Sequence, residues 1–297
     1  MGVDWHLGEG SGVEAKRGTR LGRHAVGIRP WTFLTLTLGL SWLTGFSAAA
    51  LSASIPGWAV TALRYLSGVA PLVVAAGLLH LWSDRTTRRD FWRRVVDFGR
   101  IGAGWYAVIL LYAPVKTGLA AVADLLLGGS GIAPEMWADL VDQPLLVVPT
   151  LLFWVVFGPL PEEPGWRGYA LDGLQACRSA LSASLIVGVA WSLWHVPLFF
   201  IAGTWQAEVV GLGTQRFWLY MLAMVIESIL YTWIFNNTDR STLAAILLHF
   251  SVNACGELFA LSHRGEVISF ALTAVAALIV VAGWGPRTLT GTGKRGR

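Results

Sequence analysis

The chain has 297 residues, 55% of them hydrophobic and only 13% charged, with a mean hydropathy of +0.58. Soluble domains carry roughly 25% charged residues, so this composition argues against a soluble enzyme and for an all-α polytopic membrane protein. The net charge of +4 is no nucleic-acid footprint, because the basic residues cluster by loop and so report topology.

Residues 1–29 are polar, Gly-rich and basic (Lys16, Arg17, Arg20, Arg23, Arg29) and read as a disordered tail. The first apolar run begins at Trp31 and is too long for a signal-peptide core, so it is read as a retained first span. A spanning helix needs about 20 apolar residues. Such segments lie near 31–54, 58–82, 101–128, 144–165, 181–203, 214–236, 241–260 and 267–285, about eight transmembrane helices in a membrane domain over 30–286. The loop Ser83–Arg100 holds Arg85, Arg88, Arg89, Arg93, Arg94 and Arg100, which predicts a cytoplasmic location. Gly128–Gln143 holds Glu135, Asp139 and Asp142 without a basic residue, as expected outside. The tail 287–297 is basic again (Arg287, Lys294, Arg295, Arg297), so both termini are expected to be cytoplasmic. Cys177 and Cys255 lack CxxC neighbours and are expected near opposite faces, which argues against a disulfide or a Cys-based zinc site. No internal repeat supports an inverted-repeat transporter.

Three polar motifs interrupt this apolar background. The fourth span ends in Pro161-Glu162-Glu163-Pro164-Gly165-Trp166-Arg167-Gly168, where bare charge at membrane depth marks a functional candidate. Glu163 and Arg167 are four residues apart and share a helix face, so Arg167 is expected to hold Glu163. Glu162 points about 100° away and is left for chemistry. Pro161 and Pro164 withhold donors from the carbonyls of Phe157 and Leu160, which opens backbone inside the bilayer. The fifth span places Trp191 and His195 on one face, with Pro197 expected to bend it. The seventh places His249 and Asn253 together, with Glu257 a turn further. Taken singly, each motif reads equally well as a helix-packing clamp or a snorkelling charge. Their similar expected depth, below a polar Arg167–Arg178 stretch that protrudes into the cytoplasmic interface, points to one site. Two chemistries suit it. Glu162, His195 and His249 have the ligand types of a catalytic Zn2+, with water in the fourth position. Alternatively, Glu162 with one histidine activates water directly, while the other histidine and Asn253 stabilise an oxyanion.

These residues resemble the CPBP (Abi, or CAAX protease and bacteriocin-processing) family of intramembrane proteases. Glu162-Glu163-Pro-Gly-Trp-Arg167 matches its EExxxR motif, Trp191 to His195 its aromatic-xxx-His motif (usually Phe), and His249 to Asn253 its HxxxN motif. The similarity covers roughly 144–260. The resemblance implies an eight-helix fold and a metallo- or glutamate-dependent endopeptidase acting near the cytoplasmic face of a bacterial inner membrane. Its substrate would be a peptide or lipidated protein reached through membrane lipid, with no nucleic acid involved. By the same resemblance Glu162, His195, His249 and Asn253 would be catalytic, and Glu163, Arg167 and Trp191 supporting. Two other readings remain: a non-catalytic immunity or scaffold protein, and a proton-coupled transporter using Glu227 and Glu257 as relays.

Overall fold

A computed structural model of the chain describes residues 28–290. Residues 1–27 and 291–297, most of the two expected tails, lie outside the described residues, so the expected disorder falls there too. The fold is helical: α1 (Pro30–Leu51), α2 (Gly57–Trp82), α3 (Arg85–Val96), α4 (Ala103–Leu126), α5 (Glu135–Asp142), α6 (Val147–Phe157) and α7 (Pro159–Glu163). A π-helical segment follows over Pro164–Leu171, then α8 (Asp172–Gln175), α9 (Ala180–Trp194), α10 (Gln215–Asn237), α11 (Thr242–Leu258) and α12 (His263–Trp284). The only sheet among the described residues is a two-residue pair, β1 (Ile132–Ala133) with β2 (Ala260–Leu261), antiparallel.

Among the described residues, seven helical stretches are long and apolar enough to cross a membrane: α1, α2, α4, the composite Pro144–Gln175, Ala180–Phe200, α10 and α12. The expected span at 241–260 forms the shorter apolar helix α11. The outward faces are apolar, as at Leu43, Leu126, Leu278 and Ile279, so the solvent these helices suit is lipid. The structure supports an integral multi-pass membrane protein.

Contacts sort the loops into two ends. At the end holding Pro30, Asp172 pairs with Arg240, Arg100 with Asp90 and Asp239, and Asn237 with the Leu289 carbonyl. At the opposite end Asp124 accepts from Arg264 and Ser262 beside the β1–β2 pair.

Two sequence readings need correction. The stretch after Arg167 is not an exposed polar segment: every residue from Pro161 to Leu171 is buried against protein, and only Ala176–Arg178 is exposed. Packing of this segment against α1, α2 and α3 overrides its polarity. The Ser83–Arg100 loop is also more than a loop. It contains the amphipathic helix α3, capped by Asp84 accepting from the Thr87 N–H.

Prolines organise the bundle. Pro71 inside α2 has no N–H for the Ser67 carbonyl. Ser41 Oγ of α1 donates to that carbonyl at 2.8 Å, and Ser67 Oγ donates to the Ser41 carbonyl at 3.0 Å. Trp194 Nε1 then donates to Ser41 Oγ at 2.6 Å, tying α9 to the same clamp. Gly165 closes the contact between the π segment and α2, since a Cβ there would lie 2.6 Å from the Pro71 carbonyl oxygen. Gly165→Ala is therefore expected to destabilise the protein by about 1–3 kcal/mol, the cost of overpacking a tight contact. The check is a lowered unfolding midpoint in detergent relative to Gly39→Ala, where a Cβ meets nothing within 4 Å.

Candidate active site

The composite helix Pro144–Gln175 breaks where its sequence interrupts the hydrogen-bond ladder. Gly158 separates α6 from α7, and a Cβ there would sit 2.7 Å from the Trp154 carbonyl and 3.3 Å from Asn253 Nδ2. Close approach of backbone to Asn253 requires this glycine. Pro159, Pro161 and Pro164 then withhold three donors, and the chain runs on as the π segment. Irregular backbone of this kind at membrane depth is stable only where protein encloses it.

Enclosed here are the two carboxylates. Glu163 is fully buried, and its Oε1 accepts from Arg167 Nη1 at 2.9 Å and from His249 Nδ1 at 2.8 Å. The expected Glu163–Arg167 pair is present, but a third partner joins it from α11. The Arg167 guanidinium is itself sandwiched, 4.4 Å from the Trp191 ring and 4.2 Å from the Tyr231 ring. Glu162 is held separately, with Trp191 Nε1 donating to its Oε2 at 2.7 Å. Its Oε1 has no protein partner among the described residues.

His195 caps α9, where Pro197 turns the helix into a 3-10 turn over Val196–Phe200, as the sequence predicts. Its Nδ1 faces the Trp191 carbonyl at 2.9 Å. A carbonyl only accepts, so Nδ1 carries the hydrogen and Nε2 of the neutral ring is bare. His249 is oriented likewise by Glu163. Trp191 lies between them, with ring centroids 6.0 Å from His195 and 5.4 Å from His249.

The structure thus brings together Glu162, Glu163, Arg167, Trp191, His195 and His249 by direct contact. Asn253 is one turn beyond His249 on α11 and against Gly158. Glu257 is exposed. Glu227 is engaged by Lys116 at 3.2 Å. The two cysteines are free, Cys177 exposed and Cys255 buried.

Sequence reasoning missed Tyr231, which packs on Arg167, Trp191 and His249, and Tyr220, whose ring stands 5.6 Å from His195. A tyrosine in an apolar span carries no charge signal, and its partners are remote in sequence.

The zinc set Glu162, His195 and His249 fits in one respect. Orienting Nδ1 with a carboxylate or carbonyl is how metal-ligating histidines are held. In another respect it does not fit. Among the described residues, no group of three or more His, Cys, Asp or Glu side chains is placed to hold a metal ion. The chemistry below is therefore built on the protein groups alone.

Comparison with known proteins agrees with this geometry. The family profile described as "Type II CAAX prenyl endopeptidase Rce1-like" matches residues 144–255, a range containing all three motifs. The chain is also 29% identical over 257 residues to "CAAX prenyl protease 2" of Methanococcus maripaludis, covering 85% of this chain and 93% of that protein.

Two substitutions probe the cluster. Arg167→Ala would leave Glu163 buried beside His249 with its main counter-charge gone, at a cost of about 3–5 kcal/mol. This should appear as a lowered detergent unfolding midpoint that Arg167→Lys restores only in part, because lysine lacks the planar group stacked between Trp191 and Tyr231. Replacing Trp191 with 3-benzothienylalanine, which exchanges the ring N–H for sulfur, should lower that midpoint by no more than the loss of one hydrogen bond to a charged group, about 1.5–3 kcal/mol. Losing a hydrogen bond to a charged group should then lower kcat on a cleavable peptide roughly ten- to a hundredfold with little change in KM.

Proposed function

We propose that this chain, which fits the CPBP family, is a CAAX prenyl protease-like intramembrane endopeptidase. In this reading it hydrolyses a peptide bond near the carboxyl end of a prenylated or otherwise membrane-associated substrate. The observation that carries the proposal is the division of labour between adjacent carboxylates: Glu163 holds Arg167 and His249 on Oε1 and its Oε2 is sealed from solvent, while Glu162, bonded only by Trp191, keeps Oε1 unpartnered on the less enclosed of the two side chains. The names of the matched profile and relative support the substrate class.

Glu162 Oε1 takes a proton from water as its oxygen bonds to the scissile carbonyl carbon. The bare Nε2 of one histidine, His195 or His249, accepts the water's other hydrogen and so aims its lone pair. Asn253 Nδ2 donates to the developing oxyanion. When the carbon–nitrogen bond breaks, the proton on Glu162 passes to the leaving amine. The second proton of the attacking water, left on the new carboxyl group, passes to His249 Nε2 and leaves an imidazolium held at Nδ1 by Glu163, as the acid of a catalytic triad holds its histidine.

The Pro30 end carries the arginine-rich segment 84–100, and by the positive-inside rule this supports reading that end as cytoplasmic.

The test uses purified protein and peptides ending in a prenylated cysteine plus three residues. Glu162→Gln, an isosteric change, should lower cleavage by about a hundred- to ten-thousandfold while the protein stays folded, the usual contribution of a general base. Full activity in Glu162→Gln with loss only in Glu163→Gln would reverse the two roles. No cleavage dependent on Glu162, His195 and His249 would favour a scaffold or immunity protein instead.

Chelation decides between the two chemistries. Under the protein-only reading, activity survives prolonged chelator treatment. Loss with chelator and rescue by Zn2+ would establish a metal requirement and replace the direct general-base step.

A further inference from the structure

We propose that α3 is a docking surface for anionic phospholipid headgroups at the Pro30 end, and that Arg94 transmits its occupancy to the active-site segment. Residues 84–100 contain six arginines and three aspartates; Arg88 lies against His80, and the structure divides the other five arginines into two sets.

The outer set faces away from the bundle. Arg85, Arg89 and Arg93 are spaced four residues apart, form one stripe along α3 and are all exposed. None of the three has a carboxylate partner among the described residues. The aspartates are already committed: Asp84 to the helix cap, Asp90 to Arg94 and Arg100, and Asp97 to the Gly99 N–H and Arg100. Exposed apolar side chains flank the stripe, with Leu81 at 70%, Trp92 at 44%, Val96 at 66% and Phe98 at 63% exposure. Since α3 connects two spanning helices, α2 and α4, it is held at the membrane surface. A basic stripe bordered by Trp, Phe, Leu and Val at that level suits a lipid headgroup with its acyl chains alongside.

The inner set faces the site. Phe91, Arg94 and Val95 are buried. Arg94 Nη2 donates to the Gly168 carbonyl at 3.3 Å, Nε lies 3.2 Å from Asp90, and Nη1 lies 3.5 Å from Asp172. Asp172 is shared with Arg240, which follows Asp239 in the α10–α11 turn. Both turn residues have left-handed backbone, φ 51° and 57°, a conformation that non-glycine residues hold only when neighbours enforce it. Arg100 donates to the Asp239 carbonyl at 3.0 Å and completes the brace. Gly168 follows Arg167 directly, and a Cβ there would lie 3.1 Å from the Phe91 ring. No slack therefore separates α3 from the π segment that carries Arg167, and ordering α3 against headgroups orders that segment. Arg94 acts here as a positioning residue.

The test needs no enzymatic activity, so it stands apart from the proposed hydrolysis. Protein in nanodiscs of phosphatidylcholine alone, or with phosphatidylglycerol, is compared with Arg85→Gln/Arg89→Gln/Arg93→Gln and with Arg64→Gln as a control in α2. Native mass spectrometry should show preferential retention of phosphatidylglycerol, lowered at least about tenfold in the triple variant and unchanged in the control. Hydrogen exchange of 164–171 should slow with phosphatidylglycerol in the wild type and not in the triple variant. In Arg94→Gln, phosphatidylglycerol should still bind while the exchange response disappears. Equal retention of both lipids, or undiminished preference in the triple variant, overturns the docking surface. Preferential binding with no change over 164–171 overturns the coupling.

Discussion

A carboxylate buried in an apolar bundle must be matched by donors, and Glu163 is the group on which this structure turns. It is fully buried and draws Arg167 from its own segment and His249 from α11 onto a single oxygen. Removing either partner would leave charge stranded where solvation is poor. Through Oε1, Glu163 ties the α7–π segment to α11. Arg167 extends the constraint by lying between the rings of Trp191 and Tyr231, which brings in α9 and α10. Four segments thereby converge on one pair of charges. Glu162 is carried along beside that pair and keeps an open oxygen.

The backbone around this core is irregular for reasons written in its prolines and glycines. Pro71 gives up a helical hydrogen bond, and the Ser41–Ser67 exchange recovers it between helices. Pro159, Pro161 and Pro164 loosen the ladder so that consecutive residues Glu162 and Glu163 reach different partners. A regular helix would present the motif on fixed faces to fixed neighbours. The π segment and the glycine contacts at Gly158 and Gly165 instead fit the motif against α2 and α11.

Much of this was legible in the sequence where the signal is local. Hydropathy located the spans, and four-residue spacing identified the Glu163–Arg167 pair before any coordinates. Pro197 marked the end of α9 at His195. What was not legible is non-local. Nothing in the sequence shows that His249 meets Glu163 rather than Glu162, or that Lys116 engages Glu227. Trp191 in place of the family's usual phenylalanine looked like a mild aromatic exchange. Its indole N–H donates to Glu162, a contact phenylalanine cannot make. Polarity also misled: Arg94 and Arg167 were read by charge as interface residues, yet both are buried because carboxylates, a carbonyl and aromatic rings receive them.

The central claim is that Glu162 activates water for direct attack, without a covalent intermediate. Single-turnover cleavage of a prenylated peptide in 18O-labelled water, read by mass spectrometry of both product and protein, tests it most directly. The account predicts label in the new carboxyl group of the product and none in Glu162. Label in the Glu162 carboxylate with an unlabelled product would make that residue a nucleophile and contradict the account.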